Sequence, residues 1–279
     1  AAFSAANQIG GRRALGHSNA DFFTGTMKEL IVYRSDQTDN RTALEANIAE
    51  HYSISGVPTA TDTVNGFVET WYDQSGNGSD ATQTTIAKQP KIVDGGSLVT
   101  GGIDFLNGTS TGLETNNSDI CNVPQLSIFT VLTPHTAASQ TQAFSCGSVI
   151  AGSTGYGGWK LNFNGYSDDV NFQTQARGNT SASGLTVDVT SSECLIAYVA
   201  TFPNATGSVN GGTAVTKSNM ISPNQTSTNT RKFRIGGQFT FNFAANYTKP
   251  INEIIIYTTD QSANRPAIEA NIKNQYNLT

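Results

Sequence analysis

Oxygen-bearing side chains crowd the segment Asp73-Gln-Ser75-Gly-Asn77-Gly78-Ser-Asp80. Asp73, Ser75, Asn77 and Asp80 are donors from which a tight loop builds a cage for a hard cation, and calcium is the ion that takes such ligands. The match to a calcium loop is partial, because no distal Glu closes it. The same residues have a purely conformational use, in which Asp73 and Asn77 form Asx turns while the glycines take positive φ. That turn reading is the preferred one, with calcium as its alternative.

Hydrolysis of a glycosidic bond needs two carboxylates about 5–10 Å apart. The acidic residues Glu69, Asp94, Asp104, Glu114, Asp168, Asp169, Asp188 and Glu193 show no spacing that selects a pair. Asp168-Asp169 reads as the solvated start of a strand. No G-x-S-x-G elbow is present, so a Ser/His/Asp arrangement is not indicated. The chain is therefore expected not to be an enzyme, with glycosidase activity left open. Exposed aromatic rings are the other route to sugar chemistry, because their faces stack on pyranose rings. Tyr156, Trp159 and Tyr166 are the candidate platforms, and the Gly-rich loop GSTGYGGW (152–159) presents two of them. Trp71 lies in a strand-like run and is expected in the core.

Composition removes several classes. The 279 residues carry a net charge of -5 and no Lys/Arg block, which argues against a nucleic-acid partner. The apolar runs are of strand length, so no membrane-spanning helix is expected. The three histidines (His17, His51, His135) are scattered from the three cysteines, so a zinc site is not indicated. Cys121, Cys146 and Cys194 cannot all pair within the chain. Cys146 and Cys194 sit in strand-like runs, where each is expected as a buried thiol acting as a small apolar group. Only 13% of residues are charged while Ser, Thr, Asn and Gly abound, a composition resembling extracellular or virion β-proteins.

The chain repeats itself. Residues 29–54 (ELIVYRSDQTDNRTALEANIAEHYSI) and 253–278 (EIIIYTTDQSANRPAIEANIKNQYNL) share 13 of 26 positions at an offset of 224. Each copy predicts a β-branched strand, a polar break and a helix. The helical stripe falls at Leu44, Ile48 and Tyr52 in one copy, and at Ile268, Ile272 and Tyr276 in the other. Pro266 lies near the helix start, where its missing N–H costs least.

Between the copies, short strand-like runs recur with turn signals, predicting an all-β sandwich with one late helix. The order SIFTVLTP, AFSCGS, GWKLNFN, VNFQTQ, LIAYVATF, SVNGG, FRIGG, INEIIIY and then a helix resembles concanavalin A-like, laminin-G-like jelly-roll domains. The segment WYDQSGNGSDATQTTIAKQPKIV (71–93) resembles one shared by phage and bacterial surface proteins and by the jelly-roll domain of arabinofuranosidase-B-type enzymes. Such resemblances imply fold more directly than activity.

The expected organisation is the C-terminal part of an upstream jelly-roll copy over 1–54, a linker over 55–65 and a complete jelly roll over 66–279. Residues 1–54 would belong to a tandem array, complete a neighbouring subunit's sandwich, or dock on their own chain. The leading functional expectation is a non-enzymatic structural or adhesive module of a virion (a phage fibre, decoration or receptor-binding protein) or of an extracellular assembly. It would be a homo-oligomer, with glycans as its further partner. The alternative is a secreted carbohydrate-binding or glycoside-hydrolase-associated domain.

Overall fold

The computed structural model describes residues 25–56, 65–105, 111–115, 119–121, 123–135, 141–149, 156–163, 169–175, 182–189, 192–223, 232–237 and 247–279. The chain divides into two compact units, residues 1–62 and 63–279.

The larger unit is two antiparallel sheets packed face to face. The first runs in the order β1 (Gly66–Phe67), β4 (Lys91–Asp94), β6 (Ile103–Asp104), β17 (Pro250–Tyr257), β8 (Gln125–Leu132), β13 (Cys194–Thr201), β14 (Asn204–Val209) and β15 (Val215–Lys217), with β5 (Ser97–Leu98) beside β4. The second runs β12 (Ser183–Asp188), β11 (Asp169–Gln175), β10 (Tyr156–Phe163), β9 (Thr141–Val149), β16 (Lys232–Ile235), β7 (Leu113–Thr115), β3 (Ala81–Thr82) and β2 (Thr70–Trp71). Several sequence neighbours therefore pair antiparallel, while β16 and β17 return late to sit between β9 and β7 and between β6 and β8.

Strand alternation sends every second residue inward. Phe144, Cys146, Trp159, Leu161, Phe172 and Phe233 from the second sheet meet Ile128, Leu132, Ile196 and Tyr198 from the first in one core. Strands β8 and β13 are buried on both faces because a second, smaller core lies outside them. There Phe129, Val131, Leu195, Ala197 and Val199 are covered by Ile268, Ile272 and Tyr276 of helix α2 (Arg265–Tyr276). The i, i+4, i+8 stripe expected of that helix is thus the face it buries, and the burial of a side chain such as Ile272 contributes about 2 kcal/mol. Asn210 and Gly211 join β14 to β15 in a tight turn with both φ positive, the conformation these two residues favour.

One cysteine departs from expectation. Cys146 is not a free thiol but is bonded to Cys121 across 25 residues of sequence. The short helical turn Asp119–Cys121 packs against β9 and β16, which brings the two Cα atoms within 5.1 Å. Cys194 remains a buried thiol, and burial pushes its pKa up to about 12.

In the smaller unit, helix α1 (Arg41–Tyr52) follows an Asx turn in which Asp36 Oδ1 accepts the Thr38 N–H (2.8 Å) and hydroxyl (2.6 Å). The second copy builds the same turn, with Asp260 Oδ1 accepting the Ser262 N–H at 2.7 Å and its hydroxyl at 2.5 Å. The pairs Arg41–Glu45 (2.7 Å) and Arg265–Glu269 (2.8 Å) also correspond. Both helices end on a left-handed residue, Ser53 (φ 55) and Asn277 (φ 52). The repeat in sequence is a repeat in hydrogen bonding from the turn onward, but the strand expected over 30–33 does not form, and residues 26–33 belong to no strand.

Candidate functional site

The outward face of the second sheet is polar and largely buried. Cross-strand register sets Glu114 (β7), Arg234 (β16), Ser145 (β9), Lys160 (β10) and Gln173 (β11) in one row. A neighbouring row holds Gln142 (β9), Asn162 (β10), Asn171 (β11) and Thr186 (β12). A bulge between Leu161 and Asn162 shifts the register so that Gln142, rather than Ala143, faces Asn162. Bulges re-aim side chains in this way beside functional sites. Directly opposed residues stand about 5 Å apart, close enough for one ligand to span several.

Gln142, Ser145, Asn162, Asn171 and Arg234 are all at least nine-tenths buried. Their donors are largely used within the face. Asn162 Nδ2 donates to Gln173 Oε1 (2.7 Å), Asn171 Nδ2 to Thr186 Oγ1 (2.6 Å), and Ser145 Oγ to the Gly237 carbonyl (3.0 Å). The acceptors are left over: Gln142 Oε1, Asn162 Oδ1 and Asn171 Oδ1 are buried without a hydrogen-bond partner. An unmet buried polar atom carries a cost of about 1–3 kcal/mol, so three on one face require an explanation. Gly184 makes room for one of them, since a Cβ there would stand 2.3 Å from Asn171 Oδ1.

The charges are also unequal. Glu114 accepts from Arg234 Nε (3.1 Å) and from Lys232 Nζ, and so answers both cations. Lys160, between Ser145 and Gln173, has no anion beside it among the described residues, and burial holds its ammonium pKa below the usual lysine range. The face therefore holds three buried amide oxygens and one ammonium that no group among the described residues answers.

Of the aromatic platforms expected from sequence, Trp159 is not available to a ligand. Trp159 is fully buried, packs edge-on against Phe144 and donates Nε1–H to the Ile120 carbonyl (2.8 Å), so its ring has no face for a sugar. Its place in β10, with its side chain on the inward parity, decided this. Tyr156 begins β10 opposite Val149, and Tyr166 lies outside the described residues. Trp71 is partly buried against the core, as expected.

The loop at 73–80 folds as a turn. Asp73 Oδ1 accepts the Ser75 N–H (2.9 Å), while its Oδ2 accepts the Ser75 hydroxyl (2.8 Å) and the Ser79 N–H (3.0 Å). Ser75 Oγ accepts from Asn77 Nδ2 (2.9 Å), and Asp80 Oδ1 accepts the Asp73 N–H (2.8 Å). These bonds, led by that from Ser79, hold the Asp73 carboxyl below its ordinary pKa. Asp73, Ser75 and Asp80 thus turn side-chain oxygens to the loop's own donors, while Asn77 enters as a donor. No cluster of three or more His, Cys, Asp or Glu side chains with metal-binding proximity occurs among the described residues.

Of the acidic residues, Glu114 alone is placed in the two polar rows, while strand register sets Asp169 opposite Asp188 at the end of β11 and β12. The polar rows themselves escaped sequence reading. Their only signal was the alternation of Lys160, Asn162, Asn171 and Gln173 with aromatic and aliphatic neighbours, which names a face but not its burial.

The sequence matches no family model and no curated protein. Solved structures do resemble it. The carbohydrate-binding module CBM40 of the Ruminococcus gnavus IT-sialidase, bound to alpha2,3 sialyllactose, is 14% identical with a TM-score of 0.50, over 61% of this chain and 97% of that one. The leech intramolecular trans-sialidase is 13% identical with a TM-score of 0.49, over 61% of this chain and 27% of that enzyme. A pentraxin from Limulus polyphemus is 15% identical with a TM-score of 0.44, over 58% of this chain and 76% of that one. At these identities the likeness is one of fold. The chain is a concanavalin A-like jelly-roll β-sandwich with a short C-terminal helix.

Proposed function

We propose that the chain is a non-enzymatic module that binds an acidic, hydroxyl-rich saccharide on the outward face of the second sheet. One observation carries this reading: three buried amide oxygens without donors stand beside Lys160, a cation with no anion beside it among the described residues. Sugar hydroxyls supply donors to Gln142, Asn162 and Asn171, and a carboxylate on the same saccharide pairs with Lys160. The CBM40 module of similar fold was solved with sialyllactose, a saccharide of this chemical type, which supports the choice.

Calorimetric titration with sialylated and uronate-containing oligosaccharides, beside neutral ones, tests it. Binding of an acidic sugar that is lost in Asn162→Ala is expected. No binding of any saccharide, or equal binding by the variant, overturns the reading.

The wider setting we infer is an adhesive module of a virion or extracellular surface assembly. The repeated and apolar N-terminal segment favours an assembly over a lone secreted domain. The competing setting, a binding domain appended to a glycoside hydrolase, predicts turnover of polysaccharide by the intact polypeptide.

A further inference from the structure

The two copies of the repeat share their turn and helix, but only the C-terminal copy forms the strand before them. In the C-terminal copy, β17 pairs with β8 in the register Ile255↔Phe129 and Tyr257↔Ser127, and α2 covers the outer core. Polar contacts fix the position. Thr201 Oγ1 donates to Asp260 Oδ2 (2.8 Å), and the Gln261 N–H donates to Ser127 Oγ (3.1 Å). Arg265 Nη1 reaches Thr206 Oγ1 (3.4 Å), and Ser208 Oγ donates to Glu269 Oε1 (2.7 Å).

Every residue making those four contacts from the C-terminal copy has an identical counterpart in the N-terminal copy: Asp36, Gln37, Arg41 and Glu45. The apolar residues correspond as well, yet in the N-terminal copy those preceding the turn are exposed, while Leu44, Ile48 and Tyr52 are half-buried. Leu30 is 49% exposed, Ile31 44%, Val32 53% and Tyr33 48%, and residues 26–33 belong to no strand. An apolar segment with unpaired backbone is a strand-addition element awaiting an edge.

We propose that residues 27–54 form a closing element for a separate jelly-roll partner. That partner presents an unpaired strand edge beside an apolar face, with hydroxyl side chains where Ser127, Thr201, Thr206 and Ser208 stand in this chain. Its own closing strand and helix are absent, because a second copy of this chain already fills that face with 250–278. The segment pairs through Leu30–Tyr33 and lays Leu44, Ile48 and Tyr52 over the apolar face.

The chain's own sheet serves as the probe. A full-length variant in which residues 253–278 carry the sequence of residues 29–54 is expected to unfold in one cooperative transition, within about 10 °C of the parent. Loss of that transition overturns the proposal. In a second arm, the full-length acceptor Ile255→Asp/Ile272→Asp, whose own element cannot seat, is mixed with the unmodified chain. A 1:1 complex with at least about tenfold slower amide exchange at residues 27–33 is expected, and a donor carrying Ile31→Asp/Ile48→Asp should form none. An equally good complex with that donor overturns the proposal. So does self-association of the unmodified chain that depends on Ile31, which would make a second copy the occupant.

Discussion

Asn162 lies directly opposite Asn171 on adjacent strands, and both hold a partnerless carbonyl oxygen on the same buried face while their amide nitrogens are already bonded. A pair of acceptors fixed in orientation by its own donors is pre-organised for hydroxyl groups from outside. Because the strands hold them, ordering them on binding costs little.

Truncating either should therefore separate binding from folding. Asn162→Ala and Asn171→Ala are each expected to weaken saccharide binding about tenfold, the equivalent of about 1.4 kcal/mol. The unfolding midpoint should fall little or rise, since an unmet buried acceptor is removed with the side chain. Titration calorimetry beside thermal unfolding checks both. Loss of binding matched by loss of fold would assign these residues to structure alone.

In the proposed saccharide site Lys160 is the group assigned the charge preference, and it also carries a pH signature. Burial lowers its pKa, so near neutral pH the folded state holds an ammonium that the unfolded chain solvates better. Between the lowered pKa and the ordinary lysine value, the unfolded chain binds more protons, so stability rises with pH through that window. Lys160→Met is expected to be more stable than the parent at neutral pH, with the difference shrinking as pH approaches about 10. The same variant should lose its preference for acidic over neutral saccharides. Urea titrations across pH, and binding isotherms with both sugar types, provide the readout.

The cysteines divide into a structural pair and a silent thiol. Closing a 25-residue separation, the Cys121–Cys146 bond should contribute about 3 kcal/mol, lost in Cys121→Ser as a lower urea midpoint. Cys194 should resist iodoacetamide until the chain unfolds, because it is buried and its pKa stands at about 12. The folded state keeps its proton between the unfolded value and about 12, so the parent should lose stability relative to Cys194→Ala across that alkaline range.

Local pattern made much of the fold legible in advance. Strand-length, largely apolar runs identified β8 and β13, the i, i+4, i+8 stripe identified the buried face of α2, and the repeat identified a second copy of that helix. Each is a short-range regularity that burial imposes on sequence. What stayed hidden depends on register between distant strands. Cys121 finds Cys146 only because a helical turn docks on β9, and Trp159 faces inward because β10 enters the sheet with that parity. The polar rows draw on strands as far apart in sequence as β7 and β16, and no spacing in the chain places Glu114 beside Arg234. The loop at 73–80 was legible as well, since the turn preferred from its residue types forms, with Asp73 accepting the Ser75 and Ser79 N–H groups and Gly76 and Gly78 at positive φ.

The repeat also supplies an internal control on what an ion pair is worth. Arg265–Glu269 is buried, with side chains 12% and 8% exposed, and Ser208 donates to the same carboxylate. Arg41–Glu45 has the same spacing with side chains 75% and 46% exposed. Glu269→Ala strands a buried guanidinium and should cost about 3 kcal/mol. In the exposed copy, Glu45→Ala should move the unfolding midpoint by less than about 1 °C. If the N-terminal element seats on an open partner, the difference narrows, because Glu45 then meets a hydroxyl in the role of Ser208. Measuring Glu45→Ala in the 1:1 complex with the Ile255→Asp/Ile272→Asp acceptor should therefore show a clear loss of affinity. An unchanged affinity would mean that Glu45 stays in solvent there.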